Sequence, residues 1–319
     1  MKKIRRVAAG MAAVTFGATM LVAPANAADP APSVSPKAYC EVGLTASDAA
    51  GNFTTFAYYQ ASDGTATIDQ RKTWGIGSLG FAPQAMIQKY DTTPNADGSR
   101  YRMYYAVHPD GTLYVVQTQP DGTVKKTAVN KTWAGIKTLT ANSSASYWTV
   151  PNYVYAITTS GALNRYIQGA GVSNMRSTVR VSPRGWGSLK AFSYSRTEER
   201  VGFGRGDVIL ATASDGRLLE YFIPHSSPTK WTSKVIRSST WQNITDVSIG
   251  YCSHADGVPY PESLIYDAKT VWLARHANGN LYLYLDANPK AANRSLTGYG
   301  PITSGGIVGV DTFALDSGE

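Results

Sequence analysis

Five aromatic residues recur at comparable places along the 319-residue chain: Trp74, Trp133, Trp186, Trp241 and Tyr299. Each follows by 20–25 residues a glycine set in a polar turn: Gly51, Gly111, Gly161, Gly216 and Gly279. Three of those turns place an Asx residue just before the glycine, namely Asp110, Asp215 and Asn278. A flat aromatic ring covers the C–H-rich face of a pyranose, and a carboxylate or amide beside it bonds the hydroxyls. These eight residues are therefore candidates for carbohydrate binding. The competing reading is that the aromatics wedge neighbouring elements together while the Asx residues only serve their turns, because large aromatics dominate core burial.

Other chemistry is thinly represented. His108, His225, His254 and His276 are scattered, and with two cysteines in the chain no metal-ligand spacing forms. No Gly-x-Ser-x-Gly elbow occurs. The stretch GFGRGD at 202–207 combines Gly-x-Gly with Arg205-Gly206-Asp207, but it precedes a strand, which argues against a phosphate cradle, and short tripeptide matches are frequent accidents. A glycosidase needs two carboxylates facing each other across the ring axis, and the inner strands offer only Asp246 and Asp311, with Glu198, Glu199 and Glu262 falling in loops. The expectation is no enzyme, no metal and no cofactor, with a hydrolase as a minor alternative.

The candidates must be positioned by a repeated element. AVHPDGTLYVV, AITTSGALNRY, LATASDGRLLEYF and LARHANGNLYLY are versions of one β-hairpin, with LTASDAAGNFTTF as a degenerate fifth. Asp215-Gly216 and its counterparts supply the positive-φ positions of a tight turn, and the flanking Leu, Tyr and Phe suit half-buried strands. Tyr166, Tyr221 and Tyr284 each stand five residues after their glycine. A further strand-like segment follows every aromatic, so each unit holds four short strands. Four-stranded units repeating at 50–63 residues predict an all-β protein: a five-bladed β-propeller of four-stranded antiparallel blades. A two-sheet sandwich is the rival, but it leaves the five recurrences unexplained. Glycine and proline interrupt every run, which excludes long helices. The closing segment VGVDTFAL lacks a hairpin of its own and can join the first blade as its innermost strand, leaving no open edge at the seam. Long polar loops at 83–103, 143–152, 194–207 and 251–271, carrying Trp148 and Tyr260, fall on the rim opposite the glycine turns.

Residues 1–27 have four basic residues, a small-residue apolar run and Ala25-Asn26-Ala27, which reads as a secretory signal peptide cut before Ala28. A membrane anchor is the weaker reading, because the run is short and rich in Ala and Gly. Residues 28–39 follow as a flexible segment and 40–319 as one propeller domain. Losing Lys2, Lys3, Arg5 and Arg6 takes the net charge from +8 to about +4. No later Lys/Arg run exceeds two, so no nucleic-acid footprint shows, and the expected product is secreted and extracellular without membrane insertion.

The segments Trp133-AGIKTL and Trp186-GSLKAFSY, taken with AVHPDGTLY and ARHANGNLY, resemble the tachylectin-type propeller lectins across residues 40–317. The resemblance implies a five-bladed ring that binds N-acetylated amino sugars, of the N-acetylglucosamine or N-acetylgalactosamine type, in clefts between blades. Several weak sites would act together through multivalency. The Lys after the Trp matches at Lys137 and Lys190, and the fifth unit has Tyr299 in place of Trp. A non-catalytic scaffold that docks a secreted protein through the long loops is the alternative function.

Cys40 stands just before the second strand of the first unit and Cys252 just after the inner strand of the fifth. In a ring those units are neighbours, and an exported pair of cysteines is usually bonded, so a Cys40–Cys252 disulfide is expected. Two separate buried thiols are the alternative.

Overall fold

A computed structural model describes residues 38–316, except 49, 62–65, 72–77, 90–101, 119–122, 143–151, 169–174, 253–268, 292–293, 295 and 302–309. The expected signal peptide at 1–27, Trp74, Trp148, His254, Tyr260 and Glu262 lie outside the described residues. The described chain is all-β, with one 3₁₀ turn at Pro228–Lys230. None of its helices is long and apolar enough to cross a membrane.

Three sheets are four-stranded, antiparallel and consecutive in sequence. The first comprises β4 (Ala85–Lys89), β5 (Arg102–Val107), β6 (Leu113–Thr118) and β7 (Val124–Asn130). The second holds β8 (Ile136–Ala141), β9 (Tyr153–Thr158), β10 (Leu163–Ile167) and β11 (Arg176–Ser182). The third holds β12 (Leu189–Arg200), β13 (Gly204–Ala213), β14 (Leu218–Pro224) and β15 (Thr232–Arg237). The remaining eight strands form a single sheet rather than two. One arm runs through β1 (Ala38–Asp48), β2 (Phe53–Ala61) and β3 (Ala66–Arg71), with β20 (Val310–Asp316) paired to β1. The other runs through β16 (Ile244–Cys252), β17 (Thr270–His276), β18 (Leu281–Asp286) and β19 (Leu296–Pro301). The expectation of five separate sheets thus becomes four. The reason is local: β1 and β16 pair at Cys40↔Cys252 and Glu41↔Tyr251, and Ser248 Oγ donates to Gly43 O at 2.6 Å. The disulfide joins this same pair, closing 212 residues of sequence.

These sheets are the blades of a β-propeller. The first strand of each adjoins the next in order: β20 against β4, then β8, β12, β16 and back to β20. The C-terminal β20 completes the sheet begun by β1, from Gly43↔Asp316 to Asp48↔Val310, so the first and last described strands pair with each other.

Packing explains why the strands read as almost continuous apolar runs. In β5, Met103, Tyr105 and Val107 enter one buried cluster with β8 and β9, while Tyr104 and Ala106 enter another with Leu79 and Met86. Side chains alternate across a strand, so a sheet packed on both faces needs apolar residues at both parities. In β9, Tyr155 and Ile157 likewise face the third sheet, and Val154 and Ala156 the first. The core is therefore a series of clusters between sheets.

The recurrent hairpin is not the two-residue turn expected. In the β5–β6 connection His108 N donates to Thr112 O and Gly111 N to His108 O, both at 2.8 Å. Only the glycine has positive φ, +84° at Gly111 and +91° at Gly216, while Asp110 and Asp215 do not. This is a type I turn closed by a left-handed glycine bulge. A Cβ on Gly111 would also stand 2.7 Å from Ala134 N, so glycine is required for space as well as conformation.

Candidate functional site

The repeated motifs build the frame between blades. Trp133, Trp186 and Trp241 N donate to Gly111, Gly161 and Gly216 O, each at 3.0 Å, fastening one blade's hairpin to the start of the next. Each indole then stacks on the recurrent tyrosine of that next blade: Trp133 on Tyr166 at 4.5 Å, Trp186 on Tyr221 at 4.4 Å and Trp241 on Tyr284 at 4.8 Å. The three tryptophans are exposed by only 2, 2 and 5%. The motif lysines have the same office. Lys137 Nζ donates to Gly187 O and Leu189 O at 2.7 Å, and Lys190 Nζ to Gln242 O at 2.6 Å.

The first junction departs from the expected register. There Leu79 N donates to Gly51 O at 2.8 Å, so Leu79 occupies the slot, and Trp74 lies outside the described residues. The partner changes with it: five residues after Gly111 stands Val116, and Leu79 and Val116 share one buried cluster. Tyr299 is also out of register. It lies within the outer strand β19 and is 53% exposed, whereas the tryptophans follow their outer strands.

The Asx residues are exposed and complete their turns. Asp110 Oδ1 accepts from Thr112 N at 2.8 Å, Asp215 Oδ1 from Arg217 N at 3.1 Å and Asn278 Oδ1 from Asn280 N at 3.0 Å. The Thr112 backbone and side-chain hydrogen bonds lower the Asp110 carboxyl from 3.8 to about 2. The Arg217 backbone bond likewise holds the Asp215 carboxyl below its ordinary value. Of the two inner-strand acids, Asp246 is paired with Arg275 at 2.8 Å, and the Asp311 side chain is not among those described.

On the opposite rim the segment 194–207 is not a loop. β12 and β13 continue as a projecting hairpin, with Thr197↔Asp207, Glu198↔Gly206 and Glu199↔Arg205 as register pairs and a tip at 201–203. Gly206 is required because a Cβ there would meet the Phe222 ring at 2.5 Å. Asp207 is completely buried, so Arg205-Gly206-Asp207 is a strand segment and offers no exposed tripeptide.

Beside this hairpin opens a cleft of about 540 Å³, lined by Thr197, Glu198, Glu199, Arg205 and Lys290. Its floor is rigid. Glu198 accepts from Arg196 Nε at 2.7 Å and Arg200 Nε at 2.5 Å. Burial works to raise the Glu198 carboxyl, but the two guanidiniums outweigh it and hold it below its ordinary value. Arg200 and Arg294 also donate to Glu220, at 2.9 and 2.6 Å, and Arg294 Nε donates to Asp286 at 2.7 Å. Three guanidiniums and three carboxylates are thus interleaved, which compensates each buried charge.

Behind Thr197 lies a second buried centre. Asp207 accepts from Thr197 Oγ1 and Tyr155 OH, both at 2.7 Å, and from Asn142 Nδ2 at 3.1 Å, with His225 Nε2 2.9 Å away. Burial, then the adjacent Asp207 charge, pushes the Tyr155 hydroxyl well above its ordinary value, so it stays a donor. This centre locks the second sheet to the third. Sequence reasoning missed the cleft, although the alternation Arg196-x-Glu198-x-Arg200 was a strand signal and the glycines at 202 and 204 a turn signal. Chemically, the cleft pairs carboxylate acceptors with cationic donors on a fixed frame.

No protein-family model and no curated protein matches the chain. Among solved structures, AofleA from Arthrobotrys oligospora is similar with a TM-score of 0.45 at 10% identity, covering 88% of this chain and 73% of that one. A lectin from Burkholderia pseudomallei gives 0.43 at 16% identity, covering 84% and 71%. The Aleuria aurantia lectin, solved with α-methyl-L-fucoside, gives 0.43 at 13%, covering 84% and 80%.

Proposed function

We propose that this is a secreted, non-catalytic carbohydrate-binding propeller of five blades that recognises N-acetylated amino sugars or related glycans. The observation that carries the reading is the polar cleft between the β12–β13 hairpin and the β18–β19 connection. Its volume of about 540 Å³ falls within the range of small-molecule sites. Glu199 can accept hydrogen bonds from sugar hydroxyls and Arg205 can donate to them. The amino-sugar class is supported by the sequence resemblance. The count of five is supported by the eight-stranded sheet, whose two four-strand arms share a ladder of just two register pairs, Cys40↔Cys252 and Glu41↔Tyr251. Trp133, Trp186 and Trp241 are assigned to the frame, while exposed Tyr299, Asp110, Asp215 and Asn278 remain available as further contacts outside the cleft. A glycan array on the mature, oxidised chain tests this. The expected result is binding to amino-sugar glycans, weakened about tenfold by Glu199→Gln or Arg205→Ala as one charge-assisted hydrogen bond is lost, with the melting temperature unchanged. Failure to bind any glycan overturns the reading. Binding untouched by both variants overturns the cleft.

A further inference from the structure

The positive charge of this chain is gathered where the sequence scatters it. The outermost strand of the first four-stranded sheet, with its flank, carries Lys125, Lys126 and Lys131. That of the second carries Arg176, Arg180 and Arg184. That of the third carries Lys230, Lys234 and Arg237. All are exposed except the half-buried Arg237. The three stretches, 124–131, 176–184 and 230–237, contain no Asp or Glu. Lys126, Lys234 and Arg237 bond backbone carbonyls, and among the described residues none of the nine forms an ion pair. Taking nine charges from a mature total of about +4 leaves about −5 for the rest, so these edges hold more than the whole positive excess.

The sheets concerned are consecutive. Buried clusters join the first to the second and the second to the third, and β11 adjoins the turn that bears Lys230. Protection of sheet edges from pairing accounts for charge at an edge, since lysine is a common edge residue. It does not account for the sign or the distribution. The other two outer strands are different: β3 carries Asp69 beside Arg71, and β19 has no charged residue, its flanking Arg294 being buried against Asp286 and Glu220.

We propose that the edges of these three sheets form one polyanion-binding belt whose ligand is an acidic polysaccharide. A small anion would reach one strand, whereas a polymer with repeated carboxylate or sulfate groups can span three. Single-stranded nucleic acid calls for aromatic platforms between the cations. The aromatic within these stretches is Trp231, which packs against Trp186 and Tyr221 at 5.3 and 5.8 Å. The choice of a polysaccharide rests on the carbohydrate-binding reading, but the belt is separate from the cleft.

The test uses the mature, oxidised chain against immobilised polygalacturonate and heparin, with neutral dextran and duplex DNA as comparisons. Binding to the acidic polysaccharides is expected at low salt and should be lost by about 0.5 M NaCl, where surface charges are screened. The triple variant Lys125→Glu, Arg180→Glu, Lys230→Glu changes one exposed cation per edge. It should weaken this binding about tenfold or more, with unchanged melting temperature and unchanged glycan-array profile. Absence of binding at low salt, or full binding by the triple variant, overturns the belt. Duplex DNA bound as tightly as the polysaccharides overturns the ligand class. Glu199→Gln and Arg205→Ala should leave belt binding intact. Loss of both activities together would place the polymer in the cleft instead.

Discussion

At Asp110 an exposed side chain is nonetheless constrained, because its oxygen closes the turn onto Thr112 N. The carboxyl titrates at about 2 instead of 3.8, so its folded-state value is depressed. A depressed carboxyl contributes stability above its unfolded value, and that contribution is lost as pH falls through the folded value. The window for this residue is therefore about 3.8 down to about 2. Carbon-detected NMR titration should find the Asp110 midpoint near the lower figure, and a midpoint at 3.8 would remove the turn bond as its cause. Asp110→Asn keeps an acceptor in the same place but removes the charge, so at neutral pH it should show the same small loss that protonation brings, with the acid dependence gone.

Elements are joined here by side chains that a sequence reading assigns to ligands. Trp186 bonds backward through its N–H to Gly161 and packs forward on Tyr221 and Phe192, so it belongs to two sheets. Trp186→Ala should cost about 3–5 kcal/mol, the usual loss for a large buried aromatic. Chemical denaturation measures it, and a loss under about 1 kcal/mol would contradict the frame role. The leucine–valine pair at Leu79 and Val116 replaces the tryptophan–tyrosine pair as a unit, which shows what the slot demands: filled volume between sheets.

For the whole molecule, closure depends on the chain's ends. β20 supplies the strand missing beside β1, and Cys40–Cys252 ties β1 to β16 at the same seam. The bond closes 212 residues, a loop long enough for a large chain-entropy effect. Replacing both cysteines by serine should lower stability by about 2–5 kcal/mol. Thermal unfolding of the variant against the oxidised protein checks this, and equal melting temperatures would show that β20 alone holds the seam.

Several features follow from chain order and local geometry, and the sequence by itself determined them. The Gly-x-Leu spacing marks the hairpins because only glycine tolerates the left-handed position at Gly111 and Gly216. The orphan strand at the C-terminus implies closure, and the two cysteines at the ends of neighbouring units imply their bond. The turn type escaped because Asp-Gly fits both a two-residue turn and a type I turn with a glycine bulge. Other features depend on which residues some fifty positions apart come together, and only the tertiary structure decided them. Trp133 looks like a binding surface until Tyr166 covers it. Glu199 and Arg205 look like loop charges until β12 and β13 pair through them. Nine cations in three separate stretches read as dispersed charge. Successive sheets adjoin at their first strands, so each presents its last strand as an outer edge, and that repetition turns scattered charge into the proposed belt.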